Sequence, residues 1–318
     1  MKSSRSTGAG ENRSQSMRYS SESNKRWDTV STVKPQEFKK GTKPVWCAGC
    51  GNYGVLSAVY KALAQLDMPK ENIVLVSGIG CSSRLPGYVN AYGFNAVHGR
   101  ALPIATGVKL AQPDLTVLAV GGDGDALAIG GGHIPHVARR NVDITYLIMD
   151  NSIYAMTKGQ VSPTTPLDDI TSSTAYGSID EPLDAVSLAL AYDVSFVARG
   201  FSGDVEHLAS LIVEGVHHPG FALIHIISPC VTWRGQKGYE EAKHRTFYLD
   251  DGHDPTDKAQ AIKASLERDR IPLGIIYRQV RPTYWDRLLK QRVQVKSRGV
   301  PALAEVFDHF VPSFPSKN

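Results

Sequence analysis

Cysteine is scarce in this sequence: 318 residues carry only 4. So few thiols in so long a chain exclude a disulfide framework of the secreted kind, and a reducing, cytoplasmic setting is expected. No apolar run approaches the ~18 residues of a membrane helix, so no membrane contact is expected. Charge is nearly balanced, with Lys+Arg 35 against Asp+Glu 31 and a net charge of +4. That excess is too small for the electrostatic footprint of a nucleic-acid binder. Apolar residues, by contrast, make up 42% of the chain, enough to fill a core and to exclude wholesale disorder. At roughly 100–200 residues per domain, the length suits one large domain with appendages or two ordinary ones.

The first 25 residues stand apart. They are mostly Ser, Arg, Gly, Asn and Gln, with almost nothing apolar to bury. Such a segment does not offset its ordering entropy, so a disordered tail is expected. It is basic and Ser-rich, as transit peptides are, but shows no amphipathic apolar face. Met17 is an alternative start.

Residues 26–235 read as one α/β domain with a doubly wound, mostly parallel sheet. Leu56, Val59, Tyr60 and Leu63 fall at helical spacing behind Asn52, which is expected as the N-cap. Short apolar runs at 73–76, 115–120, 144–149, 194–197 and 221–227 predict strands. Helical patterns at 104–111, 126–137, 183–191 and 205–216 separate them. Continuous apolar strands alternating with helices indicate a parallel sheet covered on both faces. Ligands of such sheets bind at the carboxyl ends of the strands, just beyond Val76, Val120 and Met149. Residues 236–318 predict one exposed helix at 257–269 and a strand or extended arm at 271–277. The basic end (Arg278, Arg281, Arg287, Lys290, Arg292, Lys296) reads as an irregular arm that contacts a partner.

The turn Gly122-Asp123-Gly124-Asp125 follows a buried strand and opens a helix. Glycines there let the backbone approach phosphate, and a carboxylate in the turn suits Mg²⁺, which prefers oxygen ligands. Asp150-Asn151 arrives at the equivalent edge 28 residues later, with an amide oxygen on Asn151 and a carbonyl on Ile153. Cys47-Ala48-Gly49-Cys50 puts two thiols in one tight turn, while Cys81 and Cys230 each follow a predicted strand. All four sulfurs are placed to converge at one end of the sheet. Zinc, an iron–sulfur cluster and a redox disulfide all remain open on spacing alone, and Cys81 and Cys230 also suit ordinary buried thiols.

Gly122-Asp123-Gly124 followed by Asn151 resembles the thiamine diphosphate motif, GDG with NN about thirty residues later; here Asp150 replaces the first asparagine. Together with Cys47, Cys50, Cys81 and Cys230, these residues make residues 46–233 similar to the β subunit of 2-oxoacid:ferredoxin oxidoreductases. The resemblance implies that Asp123, Asn151 and the Ile153 carbonyl hold Mg²⁺ on the cofactor diphosphate. It implies that the four cysteines hold a [4Fe–4S] cluster, and that Ile79, Gly80, Cys81, Ser82, His98, Gly122, Gly124 and Asp125 line the cofactor site. The segment Lys158-Gly159-Gln160-Val161-Ser162-Pro163-Thr164 resembles that of members using 2-oxoglutarate or a range of 2-oxoacids. Lys158 is then expected to pair with a substrate carboxylate in a partly dry pocket, while Thr164 and Thr165 only shape the loop.

The implied activity is CoA-dependent oxidative decarboxylation of 2-oxoglutarate to succinyl-CoA and CO₂ with reduction of ferredoxin, or the reverse carboxylation. The glutamate that thiamine enzymes set against the cofactor has no candidate here, Glu71 and Glu181 being in turn-like settings. In the family it comes from the α subunit, so activity is expected only with that partner, in a dimer of αβ dimers. A pyruvate-using or broad 2-oxoacid enzyme is the nearest alternative. A non-redox thiamine decarboxylase or synthase needs a second cofactor domain that this length does not supply. A zinc-stabilised binding protein leaves Asp123 with Asn151 unexplained.

Overall fold

A computed structural model describes residues 33–267 and 269–297. The expected tail, residues 1–25, lies outside the described residues, as does the chain from 298 onward.

The strands are β1 (Ile73–Ser77), β2 (Tyr92–Asn95), β3 (Thr116–Gly122), β4 (Ile144–Asp150), β5 (Phe196–Phe201), β6 (Phe221–Ile227), β7 (Thr246–Tyr248) and β8 (Ile271–Arg278). The helices are α1 (Asn52–Gln65), α2 (Ala101–Ala111), α3 (Ile134–Arg140), α4 (Ala185–Ala191), α5 (Val205–His217), α6 (Val231–Arg245), α7 (Lys258–Ser265) and α8 (Tyr284–Ser297). One sheet runs β2-β1-β3-β4-β6-β5-β8-β7. Its pairings are parallel except that of β5 with β8.

Alternate residues of each central strand enter opposite cores, as a side-chain period of two requires. Leu75, Leu118, Leu147 and Ile224 pack with Val59 and Leu63 of α1 and Leu208 and Ile212 of α5. Val76, Ala119, Ile148 and Leu223 face the other way, against Leu102 of α2, Val137 of α3 and Leu190 of α4. Every residue of β1 and β4 is buried. Helices on both faces account for the uninterrupted apolar strands seen in the sequence.

Four details differ from expectation. The single helix expected over 126–137 is three pieces: a π turn at Gly124–Ile129, a 3-10 turn at Gly131–His133, and α3. Three consecutive glycines weaken helix propensity there, and Pro135 lies in the first turn of α3, where its missing N–H costs nothing. Asn52 is not the N-cap of α1: Gly51 is, and the buried Asn52 amide oxygen accepts a 3.1 Å bond from the Ser228 hydroxyl. Strand β5 lies further along than residues 194–197, through Arg199 and Gly200, because residues 196–201 pair in register with β6 and the charge of the buried Arg199 is met there by His225 and Asp184. Finally, the strand expected at 271–277 is present as β8, but it belongs to the main sheet rather than to a separate arm, with Leu273, Ile276 and Tyr277 buried. The segment beyond 236 therefore contributes to the core before α8, whose residues 289–294 are exposed.

Candidate active site

The parallel strands deliver their carboxyl ends to one edge. Beyond β1 come residues 78–82, beyond β3 Asp123 to Asp125, beyond β4 Asn151 to Ile153, and beyond β6 Ser228, Pro229 and Cys230. A cavity of about 550 Å³ opens there. Residues 79–82, His98, residues 122–125, Asn151 and Ile153 all line it.

Asp125 ties this edge together. It is buried, and its Oδ1 accepts N–H bonds from Ile79 (3.0 Å) and Gly99 (2.7 Å) and lies 2.8 Å from His98 Nδ1. Since that oxygen accepts, Nδ1 of His98 is the donor. One carboxylate thus fastens the loops after β1 and β2 to the turn after β3.

Asp123 is also buried. Its Oδ1 accepts the Asn151 N–H at 3.4 Å, and its Oδ2 lies 3.0 Å from the Thr164 hydroxyl. Burial, and then the neighbouring Asp150 carboxylate, push its pKa up to about 7. Asn151 Oδ1 accepts the Ile153 N–H at 3.1 Å, closing an Asx turn around Ser152, whose φ is +56°. The Ile153 carbonyl accepts from Ala155 N–H at 2.8 Å and keeps a second lone pair. Carboxylate, amide and carbonyl oxygens form a hard donor set of the kind Mg²⁺ takes. Ser82, which lines the cavity, has a buried hydroxyl without a protein partner. Such a group suits a phosphate oxygen. The residues present therefore fit a magnesium diphosphate.

The four cysteines line an adjacent cavity of about 240 Å³. Cys81, Asn151, Ala155 and Met156 belong to both cavities, so the two share a wall. Turn contacts hold the thiols in place. Cys50 N–H donates to the Cys47 carbonyl at 3.1 Å, Gly51 N–H to the Pro229 carbonyl at 3.4 Å, and the Trp46 indole to the Cys81 carbonyl at 2.7 Å. No pair is joined as a disulfide. The Cys50 thiol is pushed up to about 11 by burial, with the other three cysteines adding to the rise. Burial and then Cys230 and Cys47 raise Cys81 as well. Thiols that crowd each other in this way favour a positively charged group among them. Among the described residues, no three His, Cys, Asp or Glu side chains are grouped as ligands of a single metal ion.

Lys158 is placed differently from expectation. It is exposed, adopts a left-handed φ of +81°, and lines neither cavity. The turn that closes with Gly159 N–H on the Tyr154 carbonyl (2.9 Å) puts it on the rim. Glu71 and Glu181 are exposed, and among the described residues no glutamate lines either cavity.

Sequence reasoning missed a buried polar chain behind the edge. Thr164 bridges Asp123 and Asp150; Asp150 Oδ2 lies 2.8 Å from His225 Nε2; His225 Nδ1 lies 3.1 Å from Arg199 Nε; Arg199 pairs with Asp184. Asp150 is held below the usual carboxylate range: burial opposes this, but the His225 bond and charge, with Thr164 and Ser152, outweigh it. A histidine inside the predicted strand 221–227, and an arginine two residues past the predicted strand 194–197, were the available signal.

A doubly wound sheet with an oxygen-donor turn at its carboxyl edge, beside a four-thiol pocket, is an arrangement suited to a cofactor that carries a diphosphate. Residues 78–226 match the family model described as thiamine pyrophosphate enzyme, C-terminal TPP binding domain. Residues 230–292 match the family model for the C-terminal part of the pyruvate ferredoxin oxidoreductase beta subunit. The chain is 44% identical over 270 residues to 2-oxoacid:ferredoxin oxidoreductase 2, subunit beta, of Aeropyrum pernix, covering 80% of this chain and 86% of that one. It is 46% identical over 202 residues to 2-oxoglutarate oxidoreductase subunit KorB of Mycobacterium tuberculosis, covering 64% of this chain and 54% of that protein. A solved structure of 2-oxoglutarate:ferredoxin oxidoreductase from Magnetococcus marinus, with 2-oxoglutarate, coenzyme A and succinyl-CoA bound, superposes with a TM-score of 0.84. That match has 36% identity and covers 90% of this chain and 98% of the other. The chain belongs to the β subunits of the 2-oxoacid:ferredoxin oxidoreductases. It is one subunit of an oxidoreductase with a thiamine diphosphate-binding domain, and no helix among the described residues is long and apolar enough to cross a membrane.

Proposed function

We propose that this subunit works on 2-oxoglutarate, exchanging it with succinyl-CoA and CO₂, and carries Mg²⁺ with the thiamine diphosphate and a [4Fe–4S] cluster in the thiol pocket. The observation that carries this reading is the shared wall: Cys81 and Asn151 line both the oxygen-donor cavity and the four-cysteine cavity. When bound, thiamine diphosphate supplies the electron sink for loss of CO₂ and the cluster a place for the electrons.

The chain's own residues have defined tasks in this reading. Asp123, Asn151 and the Ile153 carbonyl hold the metal, and the Ser82 hydroxyl donates to a phosphate oxygen. Gly122 and Gly124 let the backbone of the turn come close. Asp125 keeps His98 at the rim of the cavity with Nε2 free of this contact. Cys47, Cys50, Cys81 and Cys230 hold the cluster. Lys158, next to the cavity-lining Thr157, offers an ammonium to a substrate carboxylate.

The α subunit supplies the missing glutamate and completes a dimer of αβ dimers in the cytoplasm, and ferredoxin takes the electrons. Preference for 2-oxoglutarate is supported by the 158–164 segment and by the Magnetococcus neighbour. The broader name of the Aeropyrum relative favours a wider 2-oxoacid range as the second reading. The test is the anaerobically purified αβ complex. A broad absorption band near about 400 nm, bleached by dithionite, is expected from the thiolate-bound cluster, with kcat/KM highest on 2-oxoglutarate. A colourless, zinc-containing protein overturns the cluster, and a higher kcat/KM on pyruvate overturns the substrate.

A further inference from the structure

Arg199 lies in β5, 3% exposed, opposite His225 of β6, which in turn sits opposite Ile148 of β4. A guanidinium has no acceptor and does not lose its proton. Its Nε–H points at His225 Nδ1, 3.1 Å away, so that ring nitrogen must be the lone-pair acceptor. The imidazole proton then resides on Nε2 and donates to Asp150 Oδ2 at 2.8 Å. Asp184, the N-cap of α4, anchors the far side of Arg199 while accepting the Ser187 N–H. Asp150 Oδ1 in turn accepts the Ser152 N–H at 2.8 Å and faces the Thr164 hydroxyl at 2.8 Å. Ser152 has a left-handed backbone, φ +56°, which is unfavourable for a non-glycine residue. That conformation needs outside support.

Asp184, Arg199 and His225 line neither cavity. Stability alone is a weak reason for them, because buried ion pairs replaced by apolar residues of similar volume are often neutral or stabilising. We infer that Asp184, Arg199 and His225 are positioning residues that fix one imidazole tautomer and, through Asp150, the turn presenting Asn151 and Ile153 to the magnesium diphosphate. The inference rests on the assignment of Asp123, Asn151 and the Ile153 carbonyl as magnesium ligands.

The test uses the αβ complex stripped of thiamine diphosphate and titrated with thiamine diphosphate and Mn²⁺ as a paramagnetic probe in place of Mg²⁺. His225→Leu is expected to weaken binding about 10-fold or more, within the range for partners of metal ligands, and to change the bound Mn²⁺ EPR spectrum. His225→Gln, which keeps an N–H for Asp150, should recover most of the affinity. The paired change Asp184→Leu with Arg199→Met releases the tautomer and should weaken binding as His225→Leu does. Thermal midpoint and cluster content are followed in each. A fall in midpoint with unchanged affinity and EPR spectrum overturns the inference, as does a Gln variant no better than Leu. Should His225→Leu fail to assemble, the Gln and paired variants decide. Asn151→Ala is the control for the ligand assignment. If it binds normally the assignment fails, whereas loss of binding in Asn151→Ala with normal binding in all the others fails only the inference.

Discussion

Asp123 and Asp150, the carboxylates at the ends of neighbouring strands β3 and β4, share one hydroxyl, with Thr164 Oγ1 3.0 Å from the first and 2.8 Å from the second. A hydroxyl has a single proton, so it donates to one carboxylate at a time. Asp150 has His225 and Ser152 besides, while Asp123 has the Asn151 N–H at 3.4 Å and the Ser162 hydroxyl. The two acids are accordingly driven apart: burial and Asp150 raise Asp123, and the His225 and Thr164 bonds hold Asp150 down against its burial.

Thr164→Val removes that shared donor and keeps the shape. One buried carboxylate is then short of a donor, which costs about 1–3 kcal/mol. A lower denaturant midpoint of the cofactor-free protein is expected, with an unchanged slope. An unchanged midpoint would show that Thr164 only shapes its loop, as the sequence suggested.

Much of this arrangement was legible before any coordinates. The strand ends, Asp123, Asn151 and the cysteine pair at 47 and 50 announce themselves, because apolar runs and glycine turns are local signals. The Asp150–His225–Arg199–Asp184 chain does not. Its members are 15 to 75 residues apart and meet only through the crossover that sets β6 between β4 and β5. Strand β8 was hard to place for a similar reason. Its antiparallel seat beside β5 depends on sheet order, which periodicity does not carry. The break at residues 130–132 was visible as three glycines, yet the apolar spacing around them favoured one helix.

Gly124 tests how tightly the cofactor turn is built. A Cβ there would fall 2.2 Å from Tyr154 Cε1, and the Tyr154 hydroxyl donates to the Gly124 carbonyl at 3.1 Å. Overpacking of this kind costs about 1–3 kcal/mol, because a flat ring held at both ends has little room to move. Gly124→Ala should weaken thiamine diphosphate binding by a corresponding ten-fold or so. Adding Tyr154→Ala should recover part of the loss, whereas Tyr154→Phe, which keeps the ring, should not. Calorimetric titration of the three variants checks this, and equal affinities would refute the steric account.

His218 gives the fold an acid limit remote from the site. Its Nε2 lies 2.8 Å from Ser195 Oγ, whose proton is directed at Asn141 Oδ1 and the Phe221 carbonyl. Burial first, then Arg278 and Arg281, lower its pKa to about 4. The unfolded chain therefore takes up this proton at about 6.5, before the fold does. Stability from this group is complete above about 6.5 and is lost as pH falls from there toward 4, by about 3 kcal/mol in all. His218→Gln keeps a donor for Ser195 without titrating. Its denaturant midpoints should vary less between pH 6.5 and 4 than those of the native chain, and parallel pH profiles would remove His218 from the account.

Lys158 decides how substrate charge is met. In a partly dry pocket, losing a carboxylate's partner costs about 2–5 kcal/mol, or roughly 30-fold and more in kcat/KM. The side chain is exposed and outside the cavity wall, where an ion pair contributes only about 0–1 kcal/mol. Lys158→Ala is therefore expected to lower kcat/KM on 2-oxoglutarate by about fivefold or less, and the effect should fade as salt screens the pair. Cluster and thiamine content should stay intact. If the ammonium meets the distal carboxylate, pyruvate turnover is spared; if it meets the carboxylate at carbon 1, both substrates lose equally. A salt-insensitive loss of 30-fold or more would place Lys158 in a closed pocket of the assembled enzyme, and no change on either acid would leave it a solvated loop lysine.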